Sequence, residues 1–340
     1  FWLSAVPMIG AMAAGNCVIL KPSELTLNTS SVMKEMFDET FPAEFVAVAE
    51  GDAEVSQQLL NLPPDYIFFT GSTAVGKIVA QTAVKNLIPF TLELGGKSPC
   101  IIDETANVKL SVKRMMWGKV ITSGQTCVAP DYLLVHEKIL NEVVREIKNV
   151  LGKFYPGGAI NDPDYPCIIN EKNYSRLIRL MPSGKILLGG KTDDSKRKIE
   201  PTLLGEVSLD DAVMKEEIFG SLLPVIPFNS ADDVIHAVNQ NPNPLSLYIF
   251  SRNKKFQHRL LKELSFGGAL INDTIEHLGN HYLPFGGIGG SGLGAYHGEF
   301  SFDTFSHRKA VMKKGTWIDL GFRYKPYSRV KERVMRTFLR

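Results

Sequence analysis

The sequence predicts an α/β protein built on a parallel sheet, and three observations carry that prediction. Short apolar runs of strand length alternate with stretches whose apolar residues recur at helical spacing. Turn signals such as Gly15-Asn16, Lys21-Pro22 and Gly95-Gly96 close the runs. With 340 residues, 44% of them hydrophobic and 22% charged, the chain has a globular composition and the length of two domains.

The first twenty residues, FWLSAVPMIGAMAAGNCVIL, have the apolar length of a membrane span or signal peptide. No basic segment precedes them, and Pro7 and Gly15-Asn16 interrupt them. A buried helix, a Gly-Asn turn and a buried strand over residues 17–20 are therefore predicted. A helix over 30–40 follows, with Val32, Met33, Met36 and Phe37 on one face. Strands at 45–49, 66–70 and 90–94 then alternate with helices at 53–60 and 75–85. Such alternation calls for a parallel sheet covered on both faces, with ligands at the carboxyl ends of its strands. Beyond Gly95-Gly96, helices are predicted at 108–120 and 139–151. Strands are predicted at 132–135, 185–188, 222–227, 247–250 and 269–272. This region runs to about residue 284.

A net charge of +2, with no basic run interleaved with aromatics, argues against a nucleic-acid partner. The four cysteines lie far apart and lack a C-x-x-C pair, so free thiols in a reducing, cytoplasmic setting are expected. Residues 323–340 hold seven Lys/Arg against one Glu, and Val330, Val334, Met335 and Phe338 fall on one helical stripe. A helix docked on its own domain is expected there, with peripheral contact to an anionic membrane as the less favoured alternative.

Four constellations carry chemistry. Phe69-Thr70-Gly71-Ser72 runs from a strand into a helix, where backbone N–H groups attract phosphate. The stretch from Gly71 nearly spells a Walker A loop, but Ile78 stands where the magnesium-binding hydroxyl belongs. Lys21-Pro22-Ser23-Glu24 ends a strand; Ser23 suits a helix cap, and Lys21 and Glu24 equally suit ribose hydroxyls. Glu93 sits between two leucines at a strand end, where partial desolvation would raise its pKa toward general-base range; by itself it equally suits a solvated strand-end glutamate. Cys127 follows a helix in the small polar turn Ser123-Gly124-Gln125-Thr126, unlike Cys17 and Cys100, which lie in apolar runs; that marks it as the reactive thiol.

Five motifs, Phe69-Thr70-Gly71-Ser72-Thr73, Leu92-Glu93-Leu94-Gly95-Gly96-Lys97, Gly124-Gln125-Thr126-Cys127, Glu216-Glu217-Ile218-Phe219-Gly220 and Pro284-Phe285-Gly286-Gly287, occur in the order seen in aldehyde dehydrogenases, and the resemblance spans the whole chain. Gly124 to Tyr132, Ala295-Tyr296-His297-Gly298 and Thr304-Phe305-Ser306-His307-Arg308 resemble the class 3 branch, which includes fatty and aromatic aldehyde enzymes. The resemblance implies a parallel-sheet cofactor domain (1–94), a catalytic α/β domain (95–288) and a bridging, oligomerisation segment (289–340). It implies Cys127 as nucleophile and Glu93 as general base. Lys21 and Glu24 fall on the adenosine ribose, Gly71 and Ser72 on the pyrophosphate, Glu217 on the nicotinamide ribose with Phe219 beside it, and Leu3, Trp117 and Phe285 along the substrate tunnel.

The reaction implied is thiol attack on an aldehyde, hydride loss to nicotinamide, and hydrolysis of the resulting thioester by water that Glu93 activates. Glu24 favours NAD over NADP, because it would bond a 2′-hydroxyl and repel a 2′-phosphate; class 3 relatives use either. A homodimer acting on an apolar aldehyde is expected. The family's oxyanion asparagine falls just upstream of Phe1, so the chain is expected to be a truncated, catalytically impaired enzyme. A non-catalytic subunit or binding protein is the alternative. No metal is expected: His277 and His281 lack the intervening glutamate of H-E-x-x-H, and Gly279 disfavours a helix between them. A Cys/His hydrolase would differ by turning over without NAD(P).

Overall fold

A computed structural model describes residues 1–338. Helix α1 (Trp2–Ala13) buries Ala5, Pro7, Met8, Gly10 and Ala11 but leaves Trp2, Leu3 and Ile9 exposed. It is therefore buried along one stripe, not all round as its composition suggested. Gly15 turns the chain at φ 84° into strand β1 (Val18–Leu20). This strand was expected to be buried, but Ile19 is 58% exposed and Cys17 just before it is exposed too. The cause is the sheet: β1 pairs, among the described residues, with β2 (Val46–Val48) alone.

Helix α2 (Leu27–Thr40) begins three residues earlier than expected, because a short 3₁₀ turn capped by Ser23 leads directly into it. Its buried stripe is Ser30, Met33 and Phe37; Val32 and Met36 face outward. Then come α3 (Ala53–Leu60), β3 (Ile67–Thr70), α4 (Thr73–Lys85) and β4 (Phe90–Glu93). Strands β3 and β4 run parallel, with Thr70 opposite Glu93. Every strand of the first half thus exists, but β1–β2 and β3–β4 belong to separate sheets.

The second half builds the main core. Its elements are β5 (Pro99–Ile102), α5 (Val108–Val120), β6 (Tyr132–His136), α6 (Leu140–Phe154), α7 (Glu171–Leu180) and β7 (Lys185–Leu188). A small hairpin, β8 (Thr192–Asp193) with β9 (Lys198–Ile199), precedes β10 (Thr202–Gly205), α8 (Ala212–Lys215) and β11 (Leu222–Phe228). After α9 (Ala231–Gln240) come β12 (Ser246–Phe250), α10 (Lys254–Glu263) and β13 (Gly268–Ile271). Strand β14 (Gly292–Leu293) returns antiparallel to β4, and α11 (Glu299–Thr304) follows. Helix α12 (Arg329–Phe338) lies in a second compact unit beginning at His307, where Phe338 stacks on Phe322.

Seven strands form one sheet in the order β13-β12-β5-β6-β11-β10-β7, parallel throughout except for the β10–β7 edge pair. Alternate side chains of β5, β6 and β12 feed two apolar layers. Ile101, Leu134, Leu247 and Ile249 pack with α7, α9 and α10; Cys100, Leu133, Val135 and Phe250 pack with α5 and α6. Covering both faces with helices explains why these strands read as unbroken apolar runs.

Only four residues, Leu94 to Lys97, separate the carboxyl end of β4 from the Ser98 that leads into β5. The carboxyl edge of the β3–β4 sheet therefore adjoins the amino edge of the seven-stranded sheet. Of the candidate residues, Lys21, Glu24, Gly71, Ser72 and Glu93 stand at carboxyl strand ends as expected, whereas Cys127, Glu217 and Phe219 stand on loops entering the amino ends of β6 and β11.

Candidate active site

The nucleophile candidate sits on a strained turn. After α5 the chain takes left-handed φ values at Thr122 (47°), Ser123 (54°) and Gly124 (76°). Such values cost non-glycine residues free energy and persist only where packing enforces them. Here Gly124 lies so close to Gly220 that a Cβ would stand 2.2 Å from its carbonyl oxygen. The Gln125 side chain bonds the Cys167 carbonyl and the Ile169 N–H, and Ser123 Oγ donates to the Pro166 carbonyl. Cys127 is half-buried, not open as expected for a reactive thiol. Burial pushes its thiol up to about 12, with Glu217 and Glu93 adding to the effect; its own and the Val128 backbone N–H groups oppose it.

Glu93, the last residue of β4, is 3% exposed and neither carboxylate oxygen has a partner. Desolvation alone raises it to about 9. The solvated strand-end glutamate is thereby excluded. An acceptor buried without a donor is costly, and Glu93 lies near enough to the thiol to help push it up. Val6, Phe68, Val128, Leu245, Phe285 and Tyr296 pack with Cys127 into one apolar cluster.

Glu217 lies against the Gly95 backbone, where a Cβ would stand 1.8 Å from its Oε2. Burial and then Asp131 push it up to about 8, against the Gly96 N–H, Lys97 and Arg176. Beneath it runs a buried network that the sequence reading assigned no role. Lys97 Nζ meets Asp131 Oδ2 at 2.5 Å and the carbonyls of Val213 and Glu216 at 2.9 Å each. Asp131 Oδ1 accepts the Ile218 N–H at 2.9 Å, and Arg176 donates to the Glu217 and Ile218 carbonyls. Lys97 stood inside the Leu-Glu-Leu-Gly-Gly-Lys motif, the one signal that could have found it. Asp131 stood in the Gly124 to Tyr132 stretch without a role, and Arg176 gave no signal, because their partners lie 34 and 87, and 41 and 42, residues away.

The residues expected around a dinucleotide fall on three element ends. Ser72 caps α4, its Oγ accepting the Val75 N–H, and Thr73 Oγ1 reaches the Gly290 carbonyl of the glycine-rich loop. Gly76 lets the start of α4 press on Leu94, where a Cβ would stand 2.5 Å from Leu94 Cδ2. The open first turn of this thirteen-residue helix suits a pyrophosphate. At the end of β1, Lys21 pairs with Glu24 at 3.1 Å, and Ser23 Oγ accepts the Leu25 N–H, as the helix-cap reading of that motif expected. Phe219 has φ 45° and is 38% exposed.

Of the three residues expected along a substrate tunnel, Phe285 packs in the Cys127 cluster and bridges Tyr296. Leu3 and Trp117 are 49% and 42% exposed, and it is Val6, three residues beyond Leu3 on the same helix, that reaches the cluster. His277 and His297 flank Phe285 instead, at ring distances of 6.1 and 5.3 Å. Among the described residues no group of three His, Cys, Asp or Glu side chains is placed to hold a metal, and no helix is long and apolar enough to cross a membrane.

Comparison with known proteins agrees with this geometry. Residues 1–311 match the aldehyde dehydrogenase family. The chain is 50% identical over 329 residues to 4,4'-diaponeurosporen-aldehyde dehydrogenase of Staphylococcus aureus, spanning 96% of this chain and 72% of that protein. It is 45% identical over 314 residues to aldehyde dehydrogenase family 3 member A2 of Pongo abelii, spanning 92% of this chain and 65% of that one. Among solved structures, the substrate-bound state of Staphylococcus aureus AldH superposes with TM-score 0.96 at 49% identity, over 100% of this chain and 74% of that chain. The Mycobacterium tuberculosis aldehyde dehydrogenase complexed with NAD+ superposes with TM-score 0.81 at 26% identity, over 92% and 67%. The chain belongs to the aldehyde dehydrogenase family, an NAD(P)-dependent oxidoreductase fold whose reaction is the oxidation of an aldehyde to an acid.

Proposed function

We infer that this chain is a class 3-like member of the family in which Cys127 attacks the aldehyde and Glu93 is the base. The observation that supports this most is an unpartnered, buried carboxylate within electrostatic reach of a thiol set in an apolar cluster. Attack by sulfur turns the planar carbonyl into a tetrahedral thiohemiacetal. The backbone N–H groups of Cys127 and Val128, directed at the sulfur, favour its thiolate, the form that attacks. A bound nicotinamide supplies the hydride acceptor. Glu93 then takes a proton from the water that cleaves the thioester, and its apolar surroundings keep that carboxyl a strong enough base to do so.

Glu217 is the group for the nicotinamide ribose, with Phe219 beside it, and Lys21 with Glu24 for the adenosine ribose. Glu24 is held below the usual carboxylate range by a backbone N–H and then by Lys21, so it is ionised at neutral pH. That charge supports a preference for NAD. The apolar lining by Val6, Phe68 and Phe285 supports an apolar aldehyde. A 45% identical mouse relative is named as dimeric, which supports a homodimer, and four free thiols support a reducing, cytoplasmic setting.

The test is NAD(P)H absorbance with aliphatic and aromatic aldehydes. Cys127→Ala is expected to abolish turnover in the active form. Full activity in that variant would sink the nucleophile assignment, and turnover without NAD(P) would favour a hydrolase.

A further inference from the structure

Lys119, the penultimate residue of α5, is 1% exposed, and its Nζ has no hydrogen-bond partner. It lies among Met116, Ile147, Leu151, Leu203 and Leu223, with Thr202 and Ser221 supplying the polar part of the wall. A residual cavity of about 10 Å³ remains there, which is room for about one water molecule. The nearby charges do not pair with it. Asp131 is taken by Lys97 and the Ile218 N–H, Lys97 is a like charge, and Glu217 is turned to Gly95 and Gly96.

The cavity lies directly under the turn that carries the nucleophile. Ser221 Oγ donates to the Ser123 carbonyl at 3.5 Å, and a Cβ on Gly124 would stand 3.2 Å from the Lys119 carbonyl oxygen. Two consecutive non-glycine residues with left-handed φ, Thr122 and Ser123, need an anchor beyond their own backbone. Burial pulls the ammonium down to about 8, so it remains protonated at neutral pH and still requires an acceptor.

We propose that Lys119 is a positioning residue for Cys127: through one buried water shared with Ser221 and Thr202, its ammonium pins the left-handed turn that presents the thiol. This rests on Cys127 being the nucleophile. The water accepts a hydrogen bond from Nζ and donates toward the hydroxyls, which tie the turn down through Ser123.

Amide hydrogen exchange read by mass spectrometry, with no turnover required, tests the anchor apart from the chemistry. Lys119→Met matches the volume and removes the donor. Exchange in residues 121–127 is expected to quicken about tenfold or more while the melting temperature holds, and kcat to fall with little change in KM for aldehyde. Lys119→Gln, which retains a donor, is expected to recover slow exchange in part. A folded Met variant with wild-type exchange in that peptide overturns the proposal. If the Met variant does not fold, Ser221→Ala is read in its place: quickened exchange confined to the turn supports the anchor, and unchanged exchange overturns it. Loss of turnover in Cys127→Ala stands independently of either result.

Discussion

At the scale of single residues, the site depends on charge held out of water. Glu93 is raised from 4.5 in the unfolded chain to about 9 by burial. The folded state therefore retains a proton that the unfolded state has released between those two values, and stability must fall as pH rises from 4.5 toward 9. Glu93→Gln removes that dependence. The variant is expected to be inactive yet more stable than the parent by about 2–4 kcal/mol at pH 8, with the gap closing near pH 4.5. Urea melts at several pH values check this; a gap independent of pH would show that Glu93 is ionised when folded. The same reasoning makes activity rise with pH toward 9, as the base form of Glu93 appears. Asp131→Ala makes the complementary case. It leaves the buried Lys97 ammonium with carbonyl partners only, and a loss of about 3–5 kcal/mol is expected in denaturant unfolding.

At the scale of elements, the connection from β4 to β5 does the placing. Gly95 has no side chain because the Glu217 carboxylate occupies that space. Gly95→Ala is expected to push Glu217 aside and raise KM for NAD(P), with the fold retained and the effect visible by titrating the cofactor. Gly124 is constrained twice, by φ 76° and by the Gly220 carbonyl. The strands themselves were legible as strands, since β6 and β12 are buried along their whole length and read as continuous apolar runs. Strand β10 and helices α7, α9 and α10 went unassigned, although α7 carries a clear stripe of Tyr174, Leu177 and Leu180. The pairing of β14 with β4 was also out of reach. Two residues of a glycine-rich loop offer no periodicity, and their partner lies some two hundred residues back.

At the scale of the whole molecule, the site is a seam between sheets of opposite polarity. Cofactor binding across it should tie the two edges together. Saturating NAD, at about 100 times its Kd, is expected to raise stability by about 2.7 kcal/mol, and NADP by less at equal concentration. Thermal shifts with each nucleotide check this; an equal shift for both would remove the role given to Glu24.

What the sequence by itself determined is the chemistry and the alternation. Cys127 in a polar turn, Glu93 between leucines and the order of five motifs are local facts, and local spacing records them. The tertiary structure decided which strands share a sheet, which end of each sheet faces the site, and which lysines lie beneath it. Those choices depend on contacts between residues far apart in the chain. Lys97, Lys119 and Asp131 look like ordinary surface charges in one dimension, and only burial makes them part of the site.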